Sequence, residues 1–146
     1  MRRVKRLWAL TWIEWCFLVR AIFWLPGTAV MLQLFGYQRT LALYSRGPDV
    51  TEHSRNADLD VGTARAAARM INIAARYGFY HAHCLEKSLV LLRFLRLRSI
   101  PCQLVLGTSV QGDAFTAHAW VESQGVVLND DVDVGRRYAA FSSTTE

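Results

Sequence analysis

A chain of 146 residues, 52% of them apolar, fits one domain and can bury a real core. Seventeen Lys and Arg against twelve Asp and Glu suit an anionic partner, but spread over a small surface as a solvated face they do not require one. Three cysteines, an odd number at irregular spacing, argue against a disulfide framework and for a reducing compartment, so the expected location is the cytoplasm.

The first residues, Met1-Arg2-Arg3-Val4-Lys5-Arg6, precede a Trp- and Leu-rich stretch that has the look of a secretory signal. Glu14 and Arg20 interrupt it, and no small-x-small cleavage site follows. The uncharged run 21–34 contains Pro26 and Gly27 and is too short for roughly 30 Å of hydrocarbon. A soluble helix pair is expected, with membrane contact through the basic, Trp-rich start a minor option. Trp8, Trp12, Trp15, Val19 and Ile22 recur at helical spacing, with Leu18 beside them, so residues 4–24 read as an apolar helix. Pro26 is placed to open a second helix over 26–44. Such a Trp stripe is ordinarily core; a protein-docking surface is the alternative.

Residues 45–56 hold Gly47-Pro48-Asp49 and read as an exposed linker, dividing a helical region, 1–50, from a core region, 51–146. A helix over 58–77 follows, with Ala67, Met70, Ile71 and Ala74 on one face. Arg65, Arg69, Asn72 and Arg76 line another, expected to be solvated. Gly78 ends it. The next helix, over 84–98, is apolar on several sides through Leu85, Leu89, Leu91, Leu92, Phe94 and Leu95, and so is central. After Pro101 the period becomes alternating. Residues 103–108, 115–122 and 126–130 read as antiparallel strands, with turns at Gln111-Gly112-Asp113 and Ser123-Gln124-Gly125. The tail after Asp131 is ambiguous. Helices first and a meander after them make an α+β fold, with one central helix laid against a small antiparallel sheet.

A thiol is a good nucleophile at neutral pH when its thiolate is stabilised, as the unpaired N–H groups of a helix N-terminus can do. Cys84 stands where such a terminus should begin. Cys16 lies inside an apolar helix and Cys102 at a strand start, both ordinary places for a small core residue. His118 lies mid-strand in Phe115-Thr116-Ala117-His118-Ala119-Trp120-Val121-Glu122, sharing a face with Thr116 and Trp120. The next strand ends in Leu128-Asn129-Asp130. A hairpin would return an acid there to His118, where it can hold the second imidazole nitrogen and fix the tautomer. A lone strand histidine is usually structural and a lone cysteine usually core; the ordered set Cys84, His118, Asp130 carries the signal. Asp130 and Asp131 should face opposite ways in an extended strand, so one of them can reach His118.

Cys84-Leu85-Glu86-Lys87-Ser88-Leu89, Ile100-Pro101, Ala117-His118-Ala119-Trp120-Val121-Glu122 and Leu128-Asn129-Asp130 closely resemble the leader peptidases of lasso-peptide biosynthesis, which are transglutaminase-like proteins. By motif the resemblance covers roughly residues 55–135. It implies cleavage of a precursor peptide between leader and core, with Cys84 attacking the carbonyl, His118 as base and acid, and Asp130 orienting the imidazole. It also implies a small separate leader-binding protein, admits contact with the lasso cyclase, and calls for no cofactor or metal. The resemblance favours Asp130 over Asp131. Where relatives often carry Arg-Gly-Ile-Pro, this chain has Arg98-Ser99-Ile100-Pro101, which puts the local turn in question.

Other chemistries remain open. His81-x-His83-Cys84 with His118 could bind zinc, although no second Cys/His pair accompanies them. Acyl transfer to an amine uses the same three residues as hydrolysis, and a non-catalytic peptide-binding module is a third possibility. No nucleic-acid motif accompanies the basic residues. A peptidase this small has little surface for a leader groove of its own, so the Trp stripe or the Arg65, Arg69, Arg76 stripe is expected to meet the leader or its carrier.

Overall fold

The computed structural model describes residues 11–47, 57–111 and 114–142. Within them the fold is α+β, with three long helices followed by a four-stranded antiparallel sheet.

Helix α1, Trp12–Ser45, opens on a capping box. The Glu14 carboxylate accepts from the Thr11 N–H at 2.8 Å, and Thr11 Oγ1 accepts from the Glu14 N–H at 3.4 Å, so first-turn donors are satisfied. The helix therefore starts at Trp12 rather than near residue 4; residues 4–10, with Trp8, lie outside the described part. It also runs through Pro26, giving up the one bond that the missing N–H would have made to the Ile22 carbonyl. Ala21, Leu25, Thr28 and Ala29 form one continuous buried seam across that point, so packing carries the helix past the proline. The break expected there falls at Gly36, whose φ of 75° and ψ of 172° are conformations glycine adopts without strain. Beyond it the chain doubles back. The Tyr44 hydroxyl reaches Thr28 Oγ1 at 2.8 Å across sixteen residues, which would span about 24 Å of straight helix.

The Trp stripe read as core faces outward: Trp12 is 82% exposed, and Trp15 and Val19 are exposed too, while Phe17, Leu18, Ala21 and Leu25 are buried. Both faces of α1 are apolar, so spacing alone could not choose the inner one. By length and composition α1 could cross a membrane; its most apolar 18 residues have a mean hydropathy of 1.6, and 33% of that stretch is buried against the protein.

Helix α2, Ala57–Tyr77, lays its small face, Ala64, Ala67, Met70, Ile71 and Ala74, into the core shared with α1. Arg65, Arg69, Asn72 and Arg76 are exposed as expected, and Arg69 in addition forms an ion pair with the buried Glu14 of the α1 cap. Helix α3, Cys84–Arg96, is the centre of the molecule, with Leu89, Val90, Leu91, Leu92, Phe94 and Leu95 all buried. It ends before Pro101 by a left-handed turn. The Ile100 N–H returns to the Leu95 carbonyl and the Ser99 N–H to that of Arg96, with Ser99 at φ 57°. This is the conformation that glycine usually supplies, and here serine takes the strained position.

Strands β1, Gln103–Gln111, β2, Ala114–Ser123, and β3, Val126–Val127, form the expected meander. Gln124 and Gly125 both have positive φ, as a tight two-residue hairpin requires. Two differences matter. β3 stops after two residues, where a strand over 126–130 was expected, because Leu128 keeps only its N–H bond to Val121 and the Val121 N–H turns to the Asn129 side chain. The tail then forms a short helix α4, Val134–Arg137, and a fourth strand β4, Ala139–Ser142, on the far side of β1. The sheet order is β3-β2-β1-β4. One sheet face, with Leu104, Ala119 and Val121, joins the helical core; the other buries Val105, Trp120 and Val134 beneath Tyr138.

Candidate active site

Cys84 is the first residue of α3, where backbone N–H groups have no acceptor within the helix. A buried carboxylate fixes this end. Glu86 accepts from the His83 N–H and from the Tyr80 hydroxyl, both at 2.8 Å. Burial, and then the hydrogen bond and charge of Glu86, push the Tyr80 phenol up, which keeps it a donor. Cys84 carries a free, half-buried thiol, and among the described residues no hydrogen bond joins it to His118. Cys16 and Cys102 are also free. Burial pushes the Cys102 thiol up to about 11, with the charge of Arg96 pulling the other way, so Cys102 stays protonated at neutral pH.

His118 sits opposite Gly107 of β1, sharing a sheet face with Trp120. A Cβ on Gly107 would come within 2.8 Å of the Trp120 ring and of Tyr138 Cβ, so the glycine admits both rings. His118 stacks on Tyr138, with centroids 5.0 Å apart, and less closely on Trp120, at 6.2 Å. The indole N–H of Trp120 donates to Glu122 at 2.8 Å. The imidazole is thereby held flat against a rigid aromatic wall.

Asp130, not Asp131, meets His118: its Oδ2 bonds Nε2. Its Oδ1 accepts from the Asp131 N–H at 2.7 Å and lies 3.5 Å from Arg137 Nη2. Asp131 turns to solvent, 3.2 Å from the same guanidinium. Burial works to raise the Asp130 carboxyl, but the His118 and Asp131 hydrogen bonds and the charges of His118 and Arg137 outweigh it and hold the group below its ordinary value. An ionised Asp130 only accepts, so His118 Nε2 carries the hydrogen of this bond, and in the neutral imidazole the lone pair falls to Nδ1.

Where β3 ends early, α3 bonds the edge of β2 through Ser88. Past Leu128, whose N–H still bonds the Val121 carbonyl at 3.0 Å, the outer edge of β2 has no backbone partner among the described residues. Side chains fill it. Asn129 Oδ1 accepts from the Val121 N–H at 2.8 Å, Asn129 Nδ2 donates to Ser88 Oγ at 2.9 Å, and the Ser88 hydroxyl donates to the Ala119 carbonyl at 2.9 Å. Ser88 lies one helical turn after Cys84 on the same face of α3. Ala119 adjoins His118 and Asn129 adjoins Asp130 in sequence. The bridge thus fixes the three candidate segments relative to one another, each at one position or one turn from its reactive residue.

Ser88, Asn129, Glu86, Arg137 and Tyr138 were not assigned roles from the sequence, although Ser88, Asn129 and Glu86 lie inside the motifs that carried the resemblance. His81 and His83 stand exposed ahead of α3. Among the described residues no three His, Cys, Asp or Glu side chains gather as a metal-holding group, so the zinc alternative finds no assembled ligand set there.

A family model described as the transglutaminase-like superfamily matches residues 22–143, from within α1 to the end of the sheet. No curated protein and no solved structure matches the chain.

Proposed function

Because the chain belongs to the transglutaminase-like superfamily, whose domains suggest cysteine peptidase or acyltransferase chemistry, we propose that it is a cysteine peptidase removing the leader from a ribosomally made lasso-peptide precursor. The observation that carries this is the His118–Asp130 pair at the open edge of β2, with α3 tied to that edge one turn below Cys84. Cys84 Sγ gives its proton to His118 Nδ1 and attacks the scissile carbonyl. The tetrahedral oxyanion is met by the Cys84 N–H at the helix start. Collapse expels the core peptide's amine, protonated by His118, and leaves the leader as a thioester. Water, deprotonated by the same nitrogen, then releases the leader as a carboxylate. Asp130 holds the imidazole tautomer throughout and stabilises the imidazolium.

Selection of one precursor is assigned to a separate leader-binding protein that delivers the scissile bond to Cys84, raising its local concentration to roughly the millimolar range. The test is mass spectrometry of a candidate precursor incubated with the chain, with and without that partner, in heavy-oxygen water. Leader-dependent, saturable stimulation and one heavy oxygen on the leader's new carboxylate are expected. An amide-linked product without the label would move the protein to acyl transfer to an amine. Equal rates without the partner would make the peptidase self-sufficient.

A further inference from the structure

The outward face of α1 carries a row of exposed apolar side chains. Trp12, Trp15, Val19, Phe23, Val30 and Leu34 follow one another at steps of three, four or seven residues and all are exposed, Phe23 at 68% and Leu34 at 71%. They form a stripe about 33 Å long at 1.5 Å per residue. Isolated exposed apolar side chains are normal, but a contiguous row of this length is not. The single acid of α1, Glu14, is buried and paired with Arg69. The charged groups left exposed on α1 are Arg20 and Arg39, both positive. The two exposed tryptophans lie at the end of the helix that follows Arg2, Arg3, Lys5 and Arg6 in sequence. An apolar row without exposed acids, with tryptophan at the end that a basic stretch of sequence precedes, matches the chemistry of an anionic bilayer surface. There indole rings settle at headgroup depth, aliphatic side chains enter the acyl boundary, and Arg and Lys meet lipid phosphates.

We infer that α1 lies in the plane of an anionic membrane surface, its outer face in the lipid and its inner face in the protein core. The inference stands on α1 and the sequence that precedes it, and is independent of the chemistry at Cys84. Helix α1 does not cross the bilayer, because Phe17, Ala21 and Leu25 are committed to the core. A protein with an apolar groove, or a second copy of the chain, would cover the same row but would not need the basic flank.

The test is sedimentation of the full chain with vesicles of phosphatidylglycerol and phosphatidylcholine, and with phosphatidylcholine alone. Binding to the anionic vesicles is expected to exceed that to neutral ones by about tenfold or more, and to fall as salt screens the basic residues. The double variant Phe23→Glu/Val30→Glu, both positions on the outer face, should lose anionic-vesicle binding by about tenfold while keeping the wild-type thermal midpoint. Phe115→Glu, at an exposed apolar position on the sheet, should bind like wild type. Equal binding by the double variant, or no vesicle binding by wild type, would overturn the inference. So would a wild-type dimer that the double variant dissolves in the absence of any vesicle binding, which would give the face to a second copy.

Discussion

Along one edge β2 is paired with β1 at nine successive positions, from Gln103↔Glu122 to Gln111↔Ala114, whereas along the other its pairing with β3 covers only Glu122↔Val127 and Ser123↔Val126. The long ladder is built from backbone and is indifferent to which side chains it carries. The short edge is completed by Asn129 and Ser88, which spend specific side-chain groups on the N–H of Val121 and the carbonyl of Ala119. Three further ladder positions would have kept 128–130 extended and closed the edge. Ending the strand early lets Asp130 turn onto His118 and lets α3 bond the edge through Ser88. The sheet thus gives up backbone pairing where the candidate chemistry lies, and recovers the lost hydrogen bonds from side chains.

If the open edge carries the activity, the largest effect should come from the pair it exposes. Asp130→Asn should lower kcat for precursor cleavage by about 10³–10⁴ with little change in KM, because the imidazole loses its fixed tautomer. Asp131→Asn, altering a carboxylate turned to solvent, should stay within about threefold. Should Asp131→Asn be the more damaging of the two in steady-state kinetics, the orientation of the segment after β3 would be wrong.

The bridge comes next in size. Ser88→Ala leaves the buried Ala119 carbonyl and Asn129 Nδ2 without their partner, so it should cost about 1–3 kcal/mol in denaturant unfolding. Ser88→Ala and Asn129→Ala combined should cost less than their sum, with a coupling of about 0.5–3 kcal/mol. Strict additivity would mean that the two side chains do not act as one unit. β1 offers the contrast: Thr108→Val, at a position paired through its backbone, should shift stability by about 0.5 kcal/mol or less.

A pH dependence separates the two edges as well. Asp130 is held below its ordinary carboxyl value, so its stabilising contribution is fully present above the unfolded value of about 3.9 and is lost as pH falls through the lower folded value. Asp130→Asn should therefore be less stable than wild type at neutral pH, and the gap in thermal midpoint should narrow progressively below about pH 4. A gap that stayed constant through that range would remove the charge-based account of the pair.

An effect smaller than that of the bridge lies at the other end of α3. Ser99, at φ 57°, occupies a conformation that costs a non-glycine residue about 1 kcal/mol. Ser99→Gly should raise the denaturant midpoint by the equivalent of about 0.5–1 kcal/mol with the slope unchanged, and should leave the open edge and its kinetics alone.

How much of this could be read from the sequence follows from what kind of interaction each feature rests on. The meander, the central helix and the facing of Asp130 rather than Asp131 toward His118 rest on periodicity, on turn chemistry at Gln124-Gly125, and on the motif that ends at Asp130. All of these leave a local trace. The side-chain bridge left none, because a serine or asparagine bonds backbone nearby as readily as backbone thirty or forty residues away. The inner side of α1 was illegible for a different reason. With Trp12 and Val19 outward and Phe17 and Leu25 inward, hydrophobic spacing fits either choice, and only packing against α2 and α3 decides. Pro26 misled because proline opens helices as readily as it interrupts them, while Gly36, the true reversal, sits among apolar residues without a turn signature. In the tail, β4 is held by β1 on one side, with Ala139 and Ala140 exposed, so it shows no alternation.

The central claim is that Cys84, at the edge where the ladder stops, is the reactive nucleophile among three free thiols. It can be tested without knowing any substrate. The full chain is treated at neutral pH with a limiting amount of iodoacetamide, and the alkylated cysteine is identified by peptide mass spectrometry, in wild type and in Asp130→Asn. The account expects Cys84 to be modified first, well ahead of the buried Cys102, and to react more slowly once Asp130 no longer fixes His118. Modification of Cys16 or Cys102 ahead of Cys84, or a Cys84 rate no higher than that of an unfolded cysteine peptide and unmoved by Asp130→Asn, would contradict it.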